Sequence, residues 1–223
     1  MSDPLHRLPD LAAHLATALA GPLPGARIHE RLSPRLLDGS LPPHAGRDRP
    51  ASVLILLFPR DGRPHVVLTV RGPGLPHHAD QISLPGGRPA PGETAEQTAL
   101  REAVEEIGVD VTGLTIAGRL TPVHIAVSGF TVQPIVALAD AAPAFVPDPG
   151  EVAAVLDVSL ADLADPATLR SGRRARGGIE IFAPYFVVGD HQVWGATAML
   201  LGELLAVCGW EPPELRPRDA SST

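Results

Sequence analysis

Within GRPAPGETAEQTALREAVEEIGV, from Gly87 to Val109, Glu102, Glu105 and Glu106 crowd the end of a helical pattern, with Arg101 the one neighbouring cation. Glu102 lies three and four residues from the other two, so on a helix it neighbours both. Like charges at that spacing destabilise by about 0.2–0.5 kcal/mol per pair, and the negative end of the helix dipole adds roughly 0.3–1 kcal/mol against each anion. A merely solvated face normally mixes signs. A bound divalent cation reverses the sign of the problem, because hard ions take several carboxylate oxygens together with water and substrate phosphates. Mg2+ or Mn2+ is therefore the cofactor such a set selects.

The elements that must position these groups follow from local signals. Thr94 and Gln97 make a capping-box pair, and Gly108 suits a C-terminal cap, so the helix is predicted from Thr94 as N-cap to about Ile107. Ala99, Leu100, Ala103, Val104 and Ile107 form the predicted buried stripe, with the three glutamates on the other side. Just upstream, Gly86 and Gly87 let the backbone approach a ligand or metal closely. SVLILLFPRDGRPHVVLTVR reads as two apolar strands in a hairpin around Asp61 and Gly62, and ISLPGG as a short strand. Further strands are predicted in VTGLTIAGRLTPVHI and FTVQPIVALAD. EVAAVLDVSLADLAD reads as a strand passing into a short helix, and IEIFAPYFVVGDHQVWG as a hairpin feeding a last helix, ATAMLLGELLAVCG. At the other end, Leu8–Ala20 has helical periodicity, while the Pro-, Gly- and Arg-rich stretch from Gly21 to Pro50 reads as an irregular connector. The basic run RSGRRARGG, without interleaved aromatics, reads as a solvated loop. The pattern is an α/β fold, a mixed sheet between helical layers.

Composition limits the rest. At 223 residues and 44% hydrophobic content, one domain with extensions and a sizeable core is expected. We read residues 1–50 as a helix and connector packed on the domain, 51–210 as the domain, and 211–223 as a disordered tail. The charge of −7 is mild and spread out, which argues against a nucleic-acid partner. No segment approaches the roughly 20 apolar residues that span a bilayer, so neither a membrane partner nor a membrane location is expected. The single cysteine, Cys208, fits a reduced, cytoplasmic setting.

Gly87, Glu93, Arg101, Glu102, Ala103, Glu105, Glu106, Gly108 and Val109 fall on every fixed position of the Nudix box, G-x5-E-x7-R-E-U-x-E-E-x-G-U. The chain thus resembles the Nudix hydrolases, which cleave a pyrophosphate linked to another moiety using a divalent metal. The resemblance implies the Nudix fold, a small-molecule pyrophosphate substrate, and a monomer or homodimer. It implies that Glu102 and Glu106 bind the metal, with Glu105 as a further ligand, and that Arg101 and Glu93 hold the geometry of loop and helix. The general base in such enzymes comes from the box helix, where Glu105 is available, or from a later acidic loop. Glu151, before a strand and after a Pro/Gly loop, is the candidate there, as base or added ligand.

Upstream, VVLTVRGPGLPHHADQISLPGG resembles the coenzyme A pyrophosphatase branch, whose motif runs roughly L-L-T-x-R-[SA]-x3-R-x3-G-x3-F-P-G-G. Leu68, Thr69, Arg71, Pro85, Gly86 and Gly87 match, while Gly72, Pro76, Asp80 and Leu84 depart from it. The resemblance implies that Arg71 contacts substrate phosphates, with His78 as a polar contact and Gly86 and Gly87 lining the site. The product pair is 3',5'-ADP and a phosphopantetheine. ADP-ribose, NADH or a nucleoside triphosphate is the alternative substrate. A non-catalytic nucleotide-sensing module is the remote one, since such modules generally lose box carboxylates and this box is complete.

Overall fold

Leu54 to Phe58 are all fully buried. Successive side chains of a strand point to opposite faces, so this run can be dry only if both faces of its sheet are covered. The computed structural model describes residues 4–41, 48–72, 81–176 and 179–215, and shows how that is achieved. In chain order the elements are α1 (Leu8–Ala18), α2 (Gly25–Leu32), β1 (Arg35–Leu36), β2 (Arg49–Arg60), β3 (Arg63–Arg71), β4 (Ile82–Ser83), β5 (Gly86–Gly87), α3 (Ala95–Ile107), β6 (Leu114–Arg119), β7 (Val123–Ile125), β8 (Phe130–Ala139), β9 (Val152–Ser159), α4 (Leu160–Ala164), β10 (Leu169–Arg176), β11 (Ile179–Val188), β12 (His191–Trp194) and α5 (Ala196–Val207).

The main sheet has the order β4-β3-β2-β8-β6, with β9 also paired to β3, β5 to β2 and β7 to β8. Only β2 and β8 run parallel; the other pairs are antiparallel. On one face Leu54, Leu56, Phe58, Val67, Ile135 and Ala137 pack against Ala99, Ala103 and Ile107 of α3. On the other, Ile55, Leu57, Val66, Leu68 and Val136 share a core with α1, α2 and α5. The α/β fold read from the sequence is present, with a second, four-stranded sheet of β1, β10, β11 and β12 beside it. Among the described residues, no helix is long and apolar enough to cross a membrane.

The β2–β3 hairpin turns at Asp61 and Gly62, both with positive φ (51° and 77°), as a two-residue turn matched to strand twist requires. Three segments differ from their sequence reading. The expected irregular connector contains α2, because Ile28 and Leu32, one turn apart, are both fully buried. Leu32 packs where α5 carries Gly202: a side chain there would meet the Leu32 methyl at 2.2 Å. The basic run expected to be a solvated loop is instead β10, paired with β11 from Leu169 to Arg176. Glu211 to Leu215, expected to open a disordered tail, are placed in the structure, and Glu211 forms an ion pair with Arg27 of α2.

The buried stripe of α3 is also rotated from its predicted position. Thr98, Ala99, Ala103, Glu106 and Ile107 are buried, whereas Val104 is 44% exposed and Leu100 only partly covered. Replacing Ile107 by Ala should therefore cost about 2–5 kcal/mol in urea unfolding. Val104→Ala should stay within about 0.5 kcal/mol of the parent.

Candidate active site

Helix α3 begins and ends as its sequence demands. The Thr94 hydroxyl accepts from the Gln97 amide at 3.2 Å, and the Gln97 side chain accepts from the Thr94 amide at 2.9 Å. Gly108 closes the helix in the left-handed conformation at φ 61°, where a side chain would strike the Val146 carbonyl at 2.6 Å. That carbonyl belongs to the loop leading to β9, which is fastened to the helix end: Val146 N–H donates to Ile107 O at 2.8 Å, and Asp148 N–H to Glu106 O at 2.9 Å. Two carbonyls at the negative end of the helix are thereby satisfied.

Arg101 organises the acidic face. Its Nε and Nη2 clasp both oxygens of Glu93 at 2.7 and 3.1 Å, and Nη2 also donates to the Arg88 carbonyl at 3.0 Å. Nη1 meets Glu102 at 2.9 Å and Glu105 at 2.8 Å. Glu93 further accepts from the Ala90 amide at 2.8 Å and from the Thr98 hydroxyl at 3.1 Å. Arg101, then the Ala90 amide, hold its carboxyl down at about 2. Sequence reading missed Thr98. Its signal was weak, a single hydroxyl outside the stripe predicted to be buried.

The glutamates do not all lie outward as the periodicity suggested. Glu105 is exposed, but Glu106 is 5% exposed and accepts from the Gly86 amide at 3.2 Å. Burial pushes its carboxyl up to about 7, against the opposing pull of Gly86 and Arg71, and with added upward pressure from Glu102 and Glu151. Burial likewise raises Glu102, opposed by Arg101 and reinforced by Glu105 and Glu151. Glu151 stands in the turn before β9, exposed, where its amide donates to Asp148 O at 3.0 Å. Arg71 closes β3, and its Nε is buried with no hydrogen-bond partner among the described residues. His78, with Pro76 and Asp80, lies outside the described residues.

The two glycines have separate steric reasons. β5 pairs Gly86 and Gly87 with Val53 and Ser52 of β2. A side chain at Gly86 would meet the Ser52 carbonyl at 2.3 Å and Val53 Cα at 2.6 Å, both backbone atoms. A side chain at Gly87 would stand 2.4–2.5 Å from the Glu102 carboxylate.

The NUDIX domain family matches residues 48–175, more than half of the chain. The chain belongs to the Nudix hydrolases. It is 30% identical over 169 residues to an uncharacterized Nudix hydrolase NudL of Photorhabdus laumondii, covering 74% of this chain and 89% of that protein. It is 33% identical over 179 residues to Nudix hydrolase 15, mitochondrial, of Arabidopsis thaliana, covering 77% of this chain but 62% of the relative. Among solved structures, the Nudix hydrolase RenU of M. smegmatis superposes with a TM-score of 0.53 at 22% identity, over 82% of this chain and 97% of that one. The Nudix domain carried here is that of a pyrophosphohydrolase.

Nudix hydrolases use divalent metal ions, and the donor set fits one. Glu102, Glu105 and Glu106 offer carboxylate oxygens, which hard cations prefer. The Glu102 carboxylate lies against Gly87, 2.4–2.5 Å from where a side chain there would begin. As the side chains stand, no three acidic, His or Cys groups among the described residues already converge as metal ligands, because Glu102 and Glu105 turn toward Arg101.

Two outcomes follow for the Nudix helix. Arg101→Lys replaces a fork with a point charge, and should lower metal affinity or activity by about 10–100-fold, the usual effect of losing a partner that orients ligands. Glu106 has a folded-state pKa above its ordinary value, so its contribution to stability is fully present below about 4.5 and is lost as pH rises through about 7. In chelator, stability of the wild type relative to Glu106→Gln should therefore fall across that window by on the order of 3 kcal/mol. Saturating Mg2+ should flatten the difference. Chemical denaturation at several pH values reads both.

Proposed function

We propose that the protein hydrolyses the pyrophosphate bond of coenzyme A or its derivatives, adding water across P–O–P to release 3',5'-ADP and (acyl-)phosphopantetheine. The observation that carries this reading is Arg71. It sits at the end of β3 in the Leu68-Thr69-x-Arg71 pattern of the coenzyme A branch, its Nε buried without a partner among the described residues, and its charge bears on Glu106 beside Gly86. A buried guanidinium donor left open at the site of a phosphate anhydride is suited to donate to a phosphate oxygen.

In this reading Glu102 and Glu106, with Glu105, hold Mg2+ or Mn2+, which when bound neutralises charge on the pyrophosphate and acidifies a water. Arg101 and Glu93 are positioning residues: their bidentate pair ties the loop at Arg88–Ala90 to the helix that bears the ligands. Gly86 and Gly87 line the site, Gly86 pressed on β2 and Gly87 leaving room for the Glu102 carboxylate. Glu151 takes the proton of the attacking water or completes the ligand set, held toward the helix by the loop bonds at Val146 and Asp148. His78 is a polar contact for the substrate.

Incubation with Mg2+ or Mn2+ and a panel of coenzyme A, acyl-coenzyme A, ADP-ribose, NADH and nucleoside triphosphates, with products identified by mass, tests the substrate. Coenzyme A compounds should be preferred in kcat/KM, and preference for ADP-ribose would overturn the reading. Arg71→Met should weaken coenzyme A turnover roughly 10–100-fold, the worth of one charge-assisted hydrogen bond.

A further inference from the structure

Among the described residues, neither Arg170, Arg173 nor Arg174 forms an ion pair. Strand pairing brings aromatics to them from elsewhere in the sequence. Arg170 stands opposite Tyr185 of β11, and Tyr185 opposite Trp194 of β12. Residues two apart share a face, so Arg170, Gly172 and Arg174 line one side of the sheet with Tyr185 and Trp194. Gly172 leaves the Tyr185 ring room to lie across the strand, 3.5 Å from where a side chain would begin.

Arg174 lies over both rings, its guanidinium carbon 4.9 Å from the Tyr185 centroid and 5.0 Å from that of Trp194. Nη2 donates to Gln192 at 2.5 Å, but the buried Nε has no hydrogen-bond partner among the described residues. Core residues such as Phe186 and Val193 alternate with Tyr185 and Trp194, so the platform is on the face turned away from that core, which also carries the buried Ile181 and Ala183. Its place in the fold ties it to the active site. Trp194 ends β12, and two residues into α5 the Thr197 hydroxyl donates to Ile82 O of β4 at 3.1 Å. From Ile82 to Gly86, whose amide bonds Glu106, is four residues of chain, at most about 14 Å.

We propose that Arg174, Tyr185 and Trp194, with Arg170 at their edge, bind the nucleoside-phosphate end of the substrate: the purine stacks on the arginine–aromatic layer and the ribose phosphate takes the free guanidinium donors. This rests on the coenzyme A reading, and supplies cations where the upstream motif has Pro76 in place of arginine. Stacked rings and guanidinium planes suit a base, while an unsatisfied arginine donor suits phosphate.

The test separates binding from hydrolysis. With metal chelated, adenosine 3',5'-bisphosphate is titrated into the full chain, followed by tryptophan fluorescence and calorimetry, beside 5'-AMP and inorganic phosphate. The bisphosphate should bind most tightly and perturb tryptophan emission. Arg174→Met and Trp194→Leu should each raise its Kd about 10-fold or more, with thermal unfolding confirming that each variant is folded; should one fail to fold, the other and Arg170→Met carry the same test. With Mg2+, Arg174→Met should raise KM for coenzyme A more than for 3'-dephospho-coenzyme A while leaving kcat in place. Unchanged Kd in folded variants, or inorganic phosphate binding as tightly as the bisphosphate, overturns the site. If the bisphosphate binds through Arg174 but coenzyme A is not cleaved, the site stands and the substrate reading falls. If coenzyme A is cleaved with KM indifferent to Arg174, the site falls and the substrate reading stands.

Discussion

Everything at the acidic end of α3 depends on one guanidinium. Arg101 faces Glu93, Glu102 and Glu105 at once, within 2.7–2.9 Å of each, and thereby balances the charge that the helix spacing concentrates. Exposed ion pairs contribute little to stability, with a median near 0–1 kcal/mol, so this cluster is poorly explained as a staple for the fold. Its effect is geometric. The bidentate grip on Glu93 and the bond to the Arg88 carbonyl fix the loop between β5 and α3, and that loop sets where Gly87 stands against Glu102. The same guanidinium is the local counter-charge for two of the groups proposed to hold a metal, so an ion there would compete with Arg101 for Glu102 and Glu105 while Glu93 keeps its hold.

Close approach is the second constraint, and it explains why Glu106 turns inward. β5 is only two residues long and is pressed on β2, with no space at Gly86 for even one added carbon. That contact presents the Gly86 amide to α3, and Glu106 meets it from a buried position. A carboxylate carried into such a place keeps its proton until about pH 7. A cation or the Arg71 guanidinium favours the charged form. The buried acid, the open arginine donor and the glycine floor are therefore one electrostatic arrangement rather than three independent motifs.

What was legible in the sequence, and what was not, divides along the range of the forces involved. The caps of α3, the Asp61–Gly62 turn, the β9–α4 junction and the β11–β12–α5 run are local chemistry, and all appear where their residues put them. The facing of α3 was not legible. Val104 and Glu106 are equally compatible with a helical stripe, and only the contact with β5 and β2 decides that the glutamate goes in and the valine out. α2 was hidden by the prolines before it and by its own glycine and arginines, since its stability comes from Ile28 and Leu32 meeting α5. β10 was hidden by its arginines, because a strand exposed on one face is defined by its partner, and the aromatics beside it lie 9 and more residues further along the chain.

The N-terminal helices are joined to the domain by more than apolar contact. Glu203, in the middle of α5, has no exposed surface, and a buried carboxylate is tolerated only when its oxygens are satisfied. One oxygen accepts from the Thr121 amide and hydroxyl at 3.1 and 2.6 Å, and the other meets His29 of α2 at 2.8 Å. Gly25, at the start of α2, sits so close to Thr121 and Glu203 that any side chain there would overlap them, at 2.2 and 2.6 Å. The acid therefore needs α2 in place to be satisfied, and α2 needs glycine to approach it. A segment that composition alone marked as a connector is in this way an integral part of the layer that covers the inner face of the main sheet.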